Sequence, residues 1–181
     1  MTRETLHAAT LHAEAFRHPL EFIFAEHDRQ RLACAALERL AGDLDAADAR
    51  DNAAFVLGHL EVDLPLHIAD EEIDLFPLLR ARCLADDQIE AMLSLLHDEH
   101  HADDSNREAL LGPLREIAAG ARPADAITFV ARARAFASFQ RRHLGWENGT
   151  ILPLAERRLD DEDQAALGAS MAARRGIFPP G

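Results

Sequence analysis

Apolar residues recur along this chain at three- and four-residue intervals. Leu20, Ile23, Phe24, His27, Cys34 and Leu37 form one such stripe, and Ile89, Leu93, Leu96, His100, Asp103, Arg107, Leu110 and Leu114 form another. This is the period of an amphipathic helix, and with β-branched residues sparse and no alternating segment the fold class is all-α. The pattern predicts four long helices. The first runs from Pro19, suited to a first turn, to about Leu40, with Gly42 ending it. The second starts between Asp45 and Asp48 and runs to about Arg82, with a kink expected at Pro65. The third opens at Asp86 or Asp87, with Gly112-Pro113 expected to bend or end it, and the fourth spans about Asp125 to Arg158. Residues 160 to 176 predict a short closing helix, residues 1 to 18 a short leading one through Leu6, Ala9, Ala13 and Phe16, and 177 to 181 a loose tail. Short connections make an antiparallel up-down-up-down four-helix bundle the simplest arrangement, with the bundle over about 19–159 of a single domain.

Polar residues interrupt these stripes in a repeated way. His67, Glu71 and Pro77 are followed 76 positions later by His143, Glu147 and Pro153, and softer positions agree in the same register: Ile68 with Leu144, Leu75 with Ile151, Arg82 with Arg158. Glu26-His27 and Glu99-His100 match at an offset of 73. Residues i and i+4 of a helix share a face, so each HxxxE directs an imidazole and a carboxylate to one point. Two half-units supply His27, His67, Glu71, His100, His143 and Glu147, and His97 and His101 add a further i, i+4 pair. Imidazole suits iron, zinc, copper and nickel, and two glutamates able to bridge argue for a binuclear centre; iron is the expected metal. One histidine on an apolar face is more commonly a hydrogen-bonded core residue. Burying the whole set without a cation would cost several kcal/mol per unpaired charge.

The bulk composition narrows the partners. The chain has 181 residues, 48% hydrophobic, with a net charge of −13, which argues against nucleic acid and anionic membrane. No stretch approaches the roughly 20 apolar residues of a membrane span or resembles a signal peptide, so a cytoplasmic location is expected. Cys34 and Cys83 are too few for a disulfide scaffold, and Cys34 reads as a small buried apolar residue. The absence of tyrosine removes tyrosyl-radical chemistry. Asp70, Glu72 and Asp74 read as a solvated face, with Asp70 or Glu72 able to support a ligand. Glu26 and Glu99 are placed either to orient imidazoles or to face solvent. Trp146 reads as a pocket wall, and His7, His12, His18 and His59 as surface or incidental residues.

The Glu26-His27 pair, HxxxE with LFP in His67 to Pro77, HxxxH in His97 to His101, and HxxxE with ILP in His143 to Pro153 together resemble the hemerythrin-like HHE cation-binding domains. The likeness covers about Pro19 to Leu159. It implies a four-helix bundle holding two non-haem irons bridged by two carboxylates and an oxo or hydroxo group, with one iron position open to a small diatomic or peroxide ligand. By this resemblance Glu71 and Glu147 are the bridges and His27, His67 and His143 terminal ligands. On the third helix the family's HxxxH falls on His97 and His101, whereas the internal repeat and the apolar stripe point to His100. His100 and His101 project about 100° apart around a helix, so both patterns cannot hold. His100 is preferred, His97 is next, and Asp104 is a carboxylate alternative. The fourth helix carries HxxxE where oxygen-carrying hemerythrins have HxxxxD, which argues against reversible oxygen transport.

An imidazole-rich set with two carboxylates favours ferrous iron more than carboxylate-rich sets do, so binding or sensing of O₂, NO or H₂O₂ ranks above C–H oxidation. The alternatives are a redox enzyme consuming peroxide or NO, and an iron-handling or iron-responsive protein acting on a separate protein partner.

Overall fold

The computed structural model describes residues 14–177, and among them there are five helices and no strand. Helix α1 is Pro19–Gly42, with the proline at its first turn where its missing N–H is no loss. Helix α2 covers 49–82 and α4 covers 126–158, each as one rod containing π-helical turns; α3 is Glu90–Ala118 and α5 is Asp161–Arg174. Asp125 caps α4, its side chain accepting from the Thr128 N–H at 3.0 Å. Asp160 and Asp163 form a capping box at the start of α5.

Two apolar clusters give the topology. One joins Leu37 and Leu40 of α1 to Ala53 and Leu60 of α2, Leu110 and Leu114 of α3, and Phe129 and Ala133 of α4. The other joins Leu20 and Ile23 to Leu75 and Phe76, Leu93 and Leu96, and Ile151 and Leu152. The late part of α1 thus meets the early part of α2, the late part of α3 and the early part of α4, which is an antiparallel four-helix bundle. Helix α5 packs Leu167 and Met171 into the second cluster. The sequence repeat appears as reciprocal ion pairs between the halves. Arg82 holds Asp163 at 2.7 Å, and the equivalent Arg158 holds Asp87 at 2.8 Å.

Three of the prolines inside long helices, those of α2 and α4, each follow a π turn. The turns are His59–Asp63 before Pro65, Asp70–Leu75 before Pro77, and Glu147–Ile151 before Pro153. The N–H groups of Leu64, Phe76 and Leu152 reach back five residues, to His59, Glu71 and Glu147. An extra residue in the turn moves the backbone away from the proline ring, which would otherwise strike a carbonyl of the preceding turn. Pro65 is therefore accommodated by a local widening. Two of the turns contain the repeated glutamates, so the HxxxE…P spacing sets the backbone that carries them.

The third helix departs from expectation twice. Asp86 and Asp87 lie in the 3₁₀ turn Ala85–Asp87, Gln88 takes a left-handed φ of 49°, and the α-helix begins only at Glu90. It then continues through Pro113 to Ala118, held by the buried Leu110, Leu111, Leu114 and Ile117. Of the leading segment, Phe16 is buried against Phe22 with ring centroids 4.5 Å apart, while Leu6, Ala9 and Ala13, with His7 and His12, lie outside the described residues. So does most of the expected tail.

Gly168 sets how closely α5 docks, because a Cβ there would meet the carbonyl oxygen of Phe16. A glycine-to-alanine change in an open helix stabilises by about 0.5–1 kcal/mol. Gly168→Ala is instead expected to destabilise by about 1–3 kcal/mol through overpacking. Thermal or urea denaturation checks this, and a raised midpoint would contradict the close approach.

Candidate metal centre

Between the two apolar clusters, each helix of the bundle turns polar groups inward. His27 comes from α1, His67 and Glu71 from α2, His100 from α3, and His143 and Glu147 from α4; all six are buried, Glu71 and Glu147 completely. Their ligand atoms form two overlapping groups. His27, His67, Glu71 and Glu147 make one, and His100, His143, Glu71 and Glu147 the other, with all ligand atoms of a group within 4.8 Å of one another. Both glutamates belong to both groups. Each group has the residue types and spacing to hold a metal ion, and the two share both carboxylates.

The imidazoles present Nε2 to this centre. His27 Nε2 lies 3.5 Å from Glu147 and 4.0 Å from Glu71; His67 Nε2 lies 3.5 Å from Glu71. His100 Nε2 lies 3.3 Å from Glu71, and His143 Nε2 lies 2.7 Å from Glu147. The other ring nitrogen of each faces an acceptor further out. His27 Nδ1 bonds Asn148 Oδ1 at 3.0 Å, His100 Nδ1 donates to Glu72 at 2.6 Å, and His143 Nδ1 donates to Glu99 at 2.9 Å. His67 Nδ1 stands 3.4 Å from Glu26. Burial alone would raise the pKa of Glu26, Glu72 and Glu99, but their partners outweigh it and hold all three below the ordinary carboxylate value: His67 and Arg175 for Glu26, His100 and His97 for Glu72, His143 and Arg142 for Glu99. Glu72 and Glu99 are ionised acceptors, which fixes the proton of His100 and of His143 on Nδ1 and leaves Nε2 for the centre, and Glu26 sets an ionised carboxylate opposite His67 Nδ1.

The donor set fits a cation by two observations. Both oxygens of Glu71 and of Glu147, with Nε2 of His27 and of His67, are buried without a hydrogen-bond partner. His100 Nε2 and His143 Nε2 face each other at 3.0 Å, a contact between two acceptors unless positive charge lies between them. The centre also draws protons. Burial would lower the His67 pKa, yet Glu71, Glu26 and Glu147 push it up to about 9; Glu71 and Glu72 push His100 up to about 10. Metal ions would take the place of those protons.

Other expected site residues lie elsewhere. His97 and His101 are on the exposed face of α3, their rings 4.6 Å apart, and His97 Nδ1 meets Glu72 at 2.9 Å. His97 thus touches the group that holds His100, and His101 and the exposed Asp104 touch none of the six. Asp70 and Asp74 are not a solvated face. Asp70 is fully buried and pairs with Arg174 and Arg175, and Asp74 pairs with Arg174 and accepts from Ser170. Arg175 also binds Glu26 at 3.2 Å, so the end of α5 secures the carboxylate behind His67; Arg142 does the same for Glu99 at 2.9 Å. Trp146 is 41% exposed. His59 is buried rather than at the surface; with Gln30, Asp103 and Gln140, also buried, it gives each helix one more inward polar residue beside the centre. Asn148, Arg142 and Arg175 escaped the sequence reading. The signal for Asn148 was present, since it lies 76 positions after Glu72.

A helical bundle with paired histidines and shared glutamates at mid-depth defines a cation-binding four-helix protein. The sequence model of the hemerythrin HHE cation-binding domain matches residues 18–155, and the chain belongs to that family. The match ends before α5. No curated protein shows significant similarity to the chain. Among the described residues no helix is long and apolar enough to cross a membrane.

This geometry makes His100→Ala and His143→Ala expected to lose most bound metal, measured by elemental analysis of the loaded protein. His101→Ala, on the neighbouring but outward position, is expected to keep it. Equal losses at His100 and His101 would contradict the placement.

Proposed function

We propose that the chain is a non-haem di-iron protein that binds or senses a small ligand of the class O₂, NO or H₂O₂. The observation that carries this reading is the membership of Glu71 and Glu147 in both ligand groups, which gives each cation two histidines and two shared carboxylates. Four protein donors leave an iron below six-coordination, so a loaded centre would supply open positions for a small exchangeable ligand. The protein's own part is to hold four Nε2 atoms on the centre through Asn148, Glu26, Glu72 and Glu99 and to keep bulk water out with the clusters on either side. A small cavity lined by Gln30, His59, Leu60 and Gln140 lies beside the centre, which agrees with a small ligand. His97 and His101 stand outside the proposed ligand set, and His27, His67, His100 and His143 are its histidines.

Peroxide turnover is the second reading, favoured by the buried Gln30, His59, Asp103 and Gln140 beside the centre. Such groups can hydrogen-bond a protonated ligand, which an apolar gas does not require. Anaerobic loading with ferrous iron is expected to give about two irons per chain and, on oxidation, a near-ultraviolet charge-transfer absorption. Uptake of one iron or none would contradict the reading. Steady-state loss of H₂O₂ or NO with the loaded protein would separate turnover from binding.

A further inference from the structure

The internal repeat carries each ligand onto another ligand but fails at one of the groups that hold them. Positions 72 and 148 are equivalent, 76 residues apart, and each accepts from the Nδ1 of a histidine in the other half: Glu72 from His100, Asn148 from His27. The second pair of holders is matched. Glu26 faces His67 and Glu99 faces His143, and each carboxylate is backed by an arginine, Arg175 and Arg142. Among the four groups that face these histidines the unmatched feature is therefore one formal negative charge, present behind His100, where Glu72 also meets the exposed His97 at 2.9 Å, and absent behind His27.

Asn148 is an ordered substitute rather than a slack one. Its amide N–H donates to the Leu144 carbonyl at 2.8 Å, which fixes the side chain with Oδ1 toward His27. His27 therefore keeps the same Nδ1–H tautomer as His100, with Nε2 free for the centre, and the two rings differ in the charge of their partner rather than in geometry. An imidazole whose Nδ1–H donates to a carboxylate is the stronger donor at Nε2 than one bonded to a neutral amide. Full burial does not separate the positions, since all four histidines are at most 7% exposed.

We propose that the two cation positions are unequal, and that the His100/His143 position holds its metal more tightly because Glu72 stands where the other half has Asn148. The His27/His67 position is the weaker, exchangeable one. This rests on the dinuclear reading above. A chain given one equivalent of metal would carry it at His100/His143.

The test is titration of the metal-free full chain with cobalt(II), followed by its visible absorption and by chelator competition. Two steps are expected, separated by about 10–100-fold in affinity, the usual effect of an outer-layer partner. Asn148→Asp, which is isosteric and adds the missing charge, is expected to tighten the weaker step and close most of the gap. Glu72→Gln is expected to weaken the tighter step by about 10–100-fold and leave the other unchanged. Anomalous diffraction from crystals grown with one equivalent should place the metal between His100 and His143. Equal affinities in the natural chain, or a gap unchanged in Asn148→Asp, would overturn the proposal. Uptake of fewer than two cobalt ions by the natural chain would overturn the dinuclear reading itself, and the proposal with it. A misfolded variant cannot imitate the expected gain in Asn148→Asp, and circular dichroism checks both variants.

Discussion

Two carboxylates buried without hydrogen bonds at the middle of a helical bundle are the constraint from which the rest of this structure follows. An ionised carboxylate removed from water costs several kcal/mol unless positive charge meets it. Glu71 and Glu147 are completely buried, and none of their oxygens has a hydrogen-bond partner. What surrounds them is imidazole, and imidazole supplies positive charge only as a proton or through a bound cation. The upward pKa shifts of His67 and His100 express the same demand in the metal-free chain.

Meeting that demand with metal requires rigid ligands, and the structure invests in rigidity at three depths. The prolines at 65, 77 and 153 follow π turns that shape the backbone of α2 and α4, two of them at the glutamates themselves. The carboxylates and the amide outside the ligands fix each ring. Arginines then fix the carboxylates: Arg142 from within the bundle, Arg175 from the end of α5. The closing helix lies beyond the span matched by the family, yet it neutralises Glu26, Asp70 and Asp74 and so belongs to the support of the centre.

Much of this was legible in the sequence, for definable reasons. Helical periodicity gave the bundle, and the repeat gave His67, Glu71, His143 and Glu147. The choice of His100 over His101 came from its place on the apolar stripe, because one residue of offset turns a side chain from core to solvent. What escaped depends on contacts between distant segments. Asp70 and Asp74 look like a solvated acidic run until Arg174 and Arg175, about a hundred residues later, are placed on them. Gly112-Pro113 looks like a bend or an end of the helix, and the helix does not end there because the buried leucines around it outweigh the local cost of about 3 kcal/mol. His59 looks like a surface residue because local pattern does not say which face a neighbouring helix covers.

The duplication also shapes the two halves of the site. Symmetry brings the two HxxxE units together, and a departure from symmetry behind them sets Glu72 in one half where the other has Asn148. The most direct test of the central claim is an anomalous-scattering crystal structure of the protein loaded anaerobically with ferrous iron. The account predicts two iron peaks about 3.5–4 Å apart between Glu71 and Glu147. A single peak, or Glu71 and Glu147 turned away from any metal, would contradict it.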